Sequence, residues 1–255
     1  RPDYLGAYRY NRATSPVIDE IAGESVLFDN CSASDTPWLP SRAALFTCRP
    51  GISNGVVSHE WPGCHFRYPG EQGMARTWPN YTMPMRLLQE NGYHTVTSSI
   101  FAQRHAAWWF NSGFSEVLNP TKPTNHENSS SINPRILHWL EGNFARHENL
   151  FLHINYWDAH TPYHPDPKIR EKVVKEPTGD FPDANTISHH NKNAYGPKTA
   201  RDIMIRNAPN YTSPNRSLMP DEIQDRKSFK AMLDSYDGSI ATVDSAIGEI
   251  ITWLK

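Results

Sequence analysis

The chain has 255 residues, with a hydrophobic fraction of 38%, a charged fraction of 20% and a formal net charge of -2 at pH 7. That balance suits a folded globular protein and excludes a disordered one. A charge so near neutral gives no footing for nucleic acid or an anionic membrane surface as partner. No apolar run reaches the roughly 20 residues that span a bilayer.

Taken in chain order, Arg1-Pro2-Asp3-Tyr4-Leu5-Gly6 is a polar loop with no strand before it. Ser15-Pro16-Val17-Ile18-Asp19 predicts a helix start, with Ser15 as cap, Pro16 at the first helical position and acids in the first turn. Ser25-Val26-Leu27-Phe28 is a short β-prone run, and residues 40–46 read as a helix entered from a Pro-rich loop. A helix over 83–91 is closed by Gly92, and a strand follows over 93–97. Residues 132–146 form a second amphipathic helix. Residues 150–156 form the strongest strand, running into Trp157-Asp158-Ala159-His160. From about 162 to 220 the chain is rich in Pro, Asn, His and Lys with little periodicity, which predicts long surface excursions over a site. Residues 228–255 form a last helix, with Leu233, Ile240, Ile247 and Ile251 among the apolar residues at helical spacing. The alternation of helix and strand predicts an α/β fold whose mainly parallel sheet is flanked by helices. A terminal helix in such a fold usually feeds another strand, so the domain is expected to be truncated at both ends.

Cys31, Cys48 and Cys64 are an odd set without metal-type spacing, so they define neither a disulfide framework nor a zinc site. Asn-x-Ser/Thr tripeptides at Asn30, Asn80, Asn128, Asn210 and Asn215 would matter only in a secreted eukaryotic protein. With Arg1 as the first residue, any signal peptide lies outside this sequence, and the compartment stays open.

The chemistry is concentrated in Trp38-Leu39-Pro40-Ser41-Arg42-Ala43-Ala44-Leu45-Phe46-Thr47-Cys48-Arg49. A loop entering a helix presents free backbone N–H groups and the positive end of the helix dipole, where an anion can sit. Arg42 adds a charge that does not deprotonate. Leu39-Pro40-Ser41-Arg42 and Thr47-x-Arg49 resemble the signature of formylglycine-dependent sulfatases. There Cys or Ser, any residue, Pro, Ser and Arg precede a helix and a Thr-Gly-Arg. Trp38 stands where that family has the Cys or Ser converted to formylglycine, and Cys48 replaces the Gly. An indole cannot become the aldehyde, so formylglycine is not possible at Trp38. Either catalysis has been lost, or Trp38 stands for a Cys whose codon differs by one base.

Three further stretches carry the same resemblance. Gly92-Tyr93-His94-Thr95 is similar to a family strand after which a Lys and a His contact sulfate; that register here reads Ser98-Ser99-Ile100-Phe101, and Arg104 and His105 follow as candidate replacements. Leu150 to Tyr163 resembles the family strand that ends in Asp-x-His-x-Pro-Tyr, which implies that His160 bonds the sulfate or protonates the leaving oxygen. Ser41, Trp157 and Tyr163 become candidate substrate contacts, Trp157 and Tyr163 as pocket walls or core; His153 inside the strand reads as a packed residue. The last helix resembles the one before the family's second pair of metal ligands, so Asp237 and Asp244 read as solvated or helix-capping residues.

The resemblance implies an incomplete sulfatase catalytic domain over 1–255, of the alkaline-phosphatase superfold. It also implies calcium as cofactor in the complete domain, held by carboxylates outside this chain, with no metal ligand within it. The expected partner is a sulfated small molecule or glycan. Three functions follow: a sulfuric ester hydrolase, an inactive relative that binds sulfated glycans, or a phosphonate or phosphodiester hydrolase of the same superfold.

Overall fold

The computed structural model describes residues 1–59, 63–66, 83–105, 107–118, 128–160, 163, 165–192, 220 and 222–255. The chain divides into two compact units. One comprises Arg1–Leu27, Asn125–Pro134 and Tyr156–Lys255; the other comprises Phe28–Thr124 and Arg135–Asn155.

Among the described residues, the second unit holds a parallel sheet of three strands: β1 (His94–Ser98), β2 (Glu116–Val117) and β3 (Leu150–Ile154), in the order β2-β1-β3. His94 pairs with Leu150 and Ser98 with Ile154, so β1 and β3 run in step for five residues. The central strand is buried from Thr95 to Ser98 although only Val96 is apolar, and its hydroxyls are satisfied: Thr95 and Ser98 donate to the Gly113 and Leu118 carbonyls, and Thr97 meets His153 Nδ1. Helix α4 (Pro84–Glu90) starts on a Pro that needs no hydrogen bond and ends before Gly92, whose φ of 85° turns the chain into β1. Leu39, Ala43 and Phe46 bury one side of helix α2 (Trp38–Thr47), which begins two residues before the predicted start; the four-residue helix α3 (Gly51–Asn54) follows it. Phe46 stacks on Phe110 at 4.6 Å, and the ring of His153 stands edge-on to both.

The first unit is helical: α1 (Pro16–Gly23), α7 (Pro167–Val174), α8 (Ala184–Lys192) and α9 (Arg226–Leu254). A reciprocal capping box starts α9: Asp225 accepts from the Ser228 N–H, and the Ser228 hydroxyl oxygen accepts from the Asp225 N–H. Within this unit Arg12 is fully buried. It donates to Asp234 at 2.6 Å, to Asp237 at 2.7 Å and to the Val173 carbonyl.

Several expectations are corrected. Residues 25–28 form no strand; Val26 is 82% and Phe28 67% exposed, because a lone β-prone run without a neighbour gains nothing from extension. Helices α7 and α8 lie inside the stretch read as loop. Asp166 caps α7 through the Lys168 and Ile169 amides, a local signal that outweighs weak periodicity. Ser15 precedes α1 but its side chain does not cap it. Asp244 of α9 accepts the Val17 and Ile18 amides instead, so of the two readings given for it the helix-capping one holds, for another helix and from a buried position. Asp237 is equally buried, against Arg12 and the Tyr10 hydroxyl.

Candidate functional site

Asn155 follows β3 and donates its backbone N–H to the Ser98 carbonyl, placing it where the carboxyl ends of β1 and β3 meet. In parallel sheets this is the end at which loops converge on ligands. The Asn155 side-chain oxygen accepts from Arg42 Nη2 at 2.9 Å. The other end of its amide, Nδ2, is buried and has no hydrogen-bond partner among the described residues.

Arg42 lies one helical turn after Trp38 on α2. Its guanidinium carbon sits 4.8 Å from the Phe101 ring centre and 5.6 Å from that of Trp38. Burial pulls its pKa below the usual arginine value, yet no carboxylate pairs with it among the described residues. A desolvated cation without an anion is costly, so the arrangement is suited to receive one.

Among the described residues, Trp38 packs against the rings of His59 at 4.2 Å, His105 at 4.4 Å and Phe101 at 5.2 Å between centroids. The Leu39 N–H points to His59 Nε2 at 3.4 Å, and Pro40 has no N–H. Two of the amide positions that opened the anion argument at this helix start are therefore not offered to a ligand. The Ser41 amide closes the first turn on the Pro37 carbonyl.

The predicted residues Trp38, Arg42 and His105 are thus brought together, with Arg104 at the end of helix α5 (Phe101–Arg104) next to His105. His160, Trp157 and Tyr163 belong to the other unit. There the exposed His160 ring lies on the buried Trp157 at 4.2 Å, and Tyr163 contacts Tyr236 at 5.0 Å. Asp158 of the same motif is buried and accepts the amide and hydroxyl of Ser129, capping helix α6 (Ser129–Asn143). His153 is packed, as expected; burial, aided by the nearby Arg42 charge, lowers its pKa to about 4, and its Nδ1 meets the Thr97 hydroxyl at 2.8 Å.

Asn155 and His59 were not predicted. A polar residue at the carboxyl end of a parallel strand is a signal that could have found Asn155, whereas nothing in the spacing around His59 marks it. Calcium does not fit the cluster around Trp38. Its described donors are rings, a guanidinium and one amide oxygen already bonded to Arg42, and a hard cation requires several oxygens. At the amino-terminal ends of the same strands, His94, Glu116 and His147 bring three potential ligand atoms within 4.8 Å of one another. The expectation that the chain holds no metal ligands therefore overlooked a group that could hold an ion.

The parallel sheet and its helices define an α/β protein of the alkaline-phosphatase-like class. The family described as Sulfatase matches residues 1–255, and the chain belongs to it. Human arylsulfatase H is 36% identical over 91 residues, covering 36% of this chain and 16% of that protein. A 2-O GAG sulfatase superposes with a TM-score of 0.56 at 16% identity, covering 99% of this chain and 51% of its own. A protein solved with its substrate D-glucosamine-2-N,6-O-disulfate gives 0.57 at 18% identity, covering 99% and 59%. The C-terminal periplasmic domain of EcEptC from Escherichia coli, solved with zinc, gives 0.56 at 10%, covering 100% and 56%. This chain therefore spans little more than half the length of these structures. At such identities the likeness establishes the fold, and fold alone does not select the anion.

Proposed function

We propose that this chain is the sulfate-recognising part of a sulfuric ester hydrolase scaffold, and that Trp38 leaves it able to bind a sulfate ester but not to hydrolyse it. The observation that carries the reading is the Arg42–Asn155 pair. It comprises a desolvated guanidinium with no carboxylate partner among the described residues, beside a buried amide whose Nδ2–H donors lack an acceptor among those residues. One tetrahedral anion would satisfy both. His105, against Trp38, supplies a further polar group for such a ligand, and Arg104 is its neighbour in the chain. Within this unit Ser41 is proposed as a further contact to the sulfated molecule, a small ester or a glycan unit; for His160, Trp157 and Tyr163, which belong to the other unit, the proposed role as sulfated-molecule contacts rests on the family resemblance of their motif.

Trp38 carries neither hydroxyl nor thiol, so no group at its position can attack sulfur. Hydrolysis in the parent family remains the class to which this scaffold belongs, while this chain's own residues bind and orient.

The test pairs two measurements on the purified chain. Calorimetry with glucosamine 6-sulfate against unsulfated glucosamine should show tighter binding of the sulfated sugar. Arg42→Ala should weaken that binding about 10- to 100-fold, as expected when a charge-assisted hydrogen bond is lost. A chromogenic aryl sulfate should show no turnover above the Arg42→Ala baseline. Equal affinity for the two sugars would sink the recognition, and turnover would sink the inactivity.

A further inference from the structure

We infer that His94, Glu116 and His147 form a transition-metal site of zinc type at the amino-terminal edge of the sheet, separate from the Arg42 cluster. His94 is the first residue of β1, Glu116 the first of β2, and His147 lies three residues before β3 begins. An ion held by all three would therefore tie together the starts of three adjacent parallel strands.

The donor set favours this class of metal. Two imidazole nitrogens and one carboxylate oxygen suit zinc and its neighbours, whereas calcium takes six to eight oxygens. Glu116 is already oriented from behind: Trp139 Nε1–H donates to Oε2 at 2.8 Å, leaving Oε1 against His94 Nε2 at 2.7 Å. Such an outer partner is what fixes a ligating carboxylate. The three ligand atoms lie within 4.8 Å of one another and the side chains are half-buried, so an ion has both reach and a path in.

One adjustment is required. The His94 and His147 rings are stacked at 3.8 Å, only 6° from parallel, so their nitrogen lone pairs run side by side instead of converging. An ion about 2.0–2.1 Å from each nitrogen needs one ring to turn. His147 is the ring placed to do so, because His94 Nε2 is held to Glu116 Oε1 at 2.7 Å while no ring nitrogen of His147 is hydrogen-bonded among the described residues. An ion bound to His94 Nε2 and Glu116 Oε1 would replace the 2.7 Å hydrogen bond between them.

The experiment is calorimetric titration of the purified chain with zinc chloride, with calcium chloride as comparison. One zinc per chain is expected, and weak or no calcium uptake. His147→Ala and Glu116→Gln should each weaken zinc binding about tenfold or more, as befits loss of one ligand of three. Replacing His189 and His190, which belong to the other unit, with Ala should leave it unchanged. In the cobalt-loaded chain, the visible d–d bands should shift in His147→Ala. If circular dichroism shows His147→Ala unfolded, His147→Gln, which retains the side chain's bulk and polarity, takes its place. Zinc binding unaltered in the folded variant, absent from the parent chain, or lost only with His189 and His190 would overturn the site.

Discussion

Arg42 joins two demands that seldom coexist: a guanidinium held between aromatic faces, and an amide beside it with donors to spare. Its charge also reaches His153, which burial already keeps neutral. The consequence is a pH dependence with a definite sign. The imidazole titrates near 6.5 in the unfolded chain and near 4 in the folded one, so between those values the unfolded state binds the proton and the folded state does not. His153 therefore removes stability as pH falls from about 6.5 to about 4, at a limiting slope of about 1.4 kcal/mol per pH unit. In urea titrations the acid limb of His153→Gln should be flatter than that of the parent across this window. Parallel limbs for the two proteins would refute the assignment.

Among the elements, α1 and α6 share a device: each start is capped by a carboxylate from elsewhere in the chain. Asp244 receives the Val17 and Ile18 amides of α1, and Asp158 receives the Ser129 amide and hydroxyl at α6. Both carboxyls are pushed up by burial, with these hydrogen bonds opposing the shift. Asp244→Ala should cost about 1 kcal/mol, within the range for lost caps, and hydrogen exchange should rise first at the Val17 and Ile18 amides. Uniform exchange along α1 would show that the cap does not hold that end. Neither carboxylate could be assigned its helix from sequence, since the partners lie more than 220 residues apart for α1 and 29 apart for α6. Boundaries set by local chemistry were legible: Pro16 opening α1, Gly92 ending the turn after α4, and the periodic run of α9.

At the scale of the whole molecule, the first unit is organised on Arg12, whose burial among Asp234, Asp237 and two backbone carbonyls no periodicity announces. Desolvation opposes the charge on Arg12 and on Asp237, and the ion pairs oppose desolvation; Arg12 is held above its usual value, while the Asp237 carboxyl is pushed up by burial even so. Arg12→Met removes the one group that balances both acids, leaving Lys230 on Asp234 and the Tyr10 hydroxyl on Asp237. Its expected cost is about 3–5 kcal/mol, typical of breaking a buried pair from one side. A urea midpoint within error of the parent would show the network to be dispensable.

The sequence alone determined the class of fold, the sulfatase family and the Trp38–Arg42 frame, because these depend on order along one chain: helix starts, strand patterns and a contiguous motif. Tertiary structure alone decided that Asn155 braces Arg42, that His59 meets Trp38, that Asp237 and Asp244 are buried, and that His94, Glu116 and His147 gather at one edge of the sheet. Each of these depends on which strands lie side by side and which helix end faces which carboxylate. Parallel pairing brings together residues whose separation in sequence carries no periodic trace.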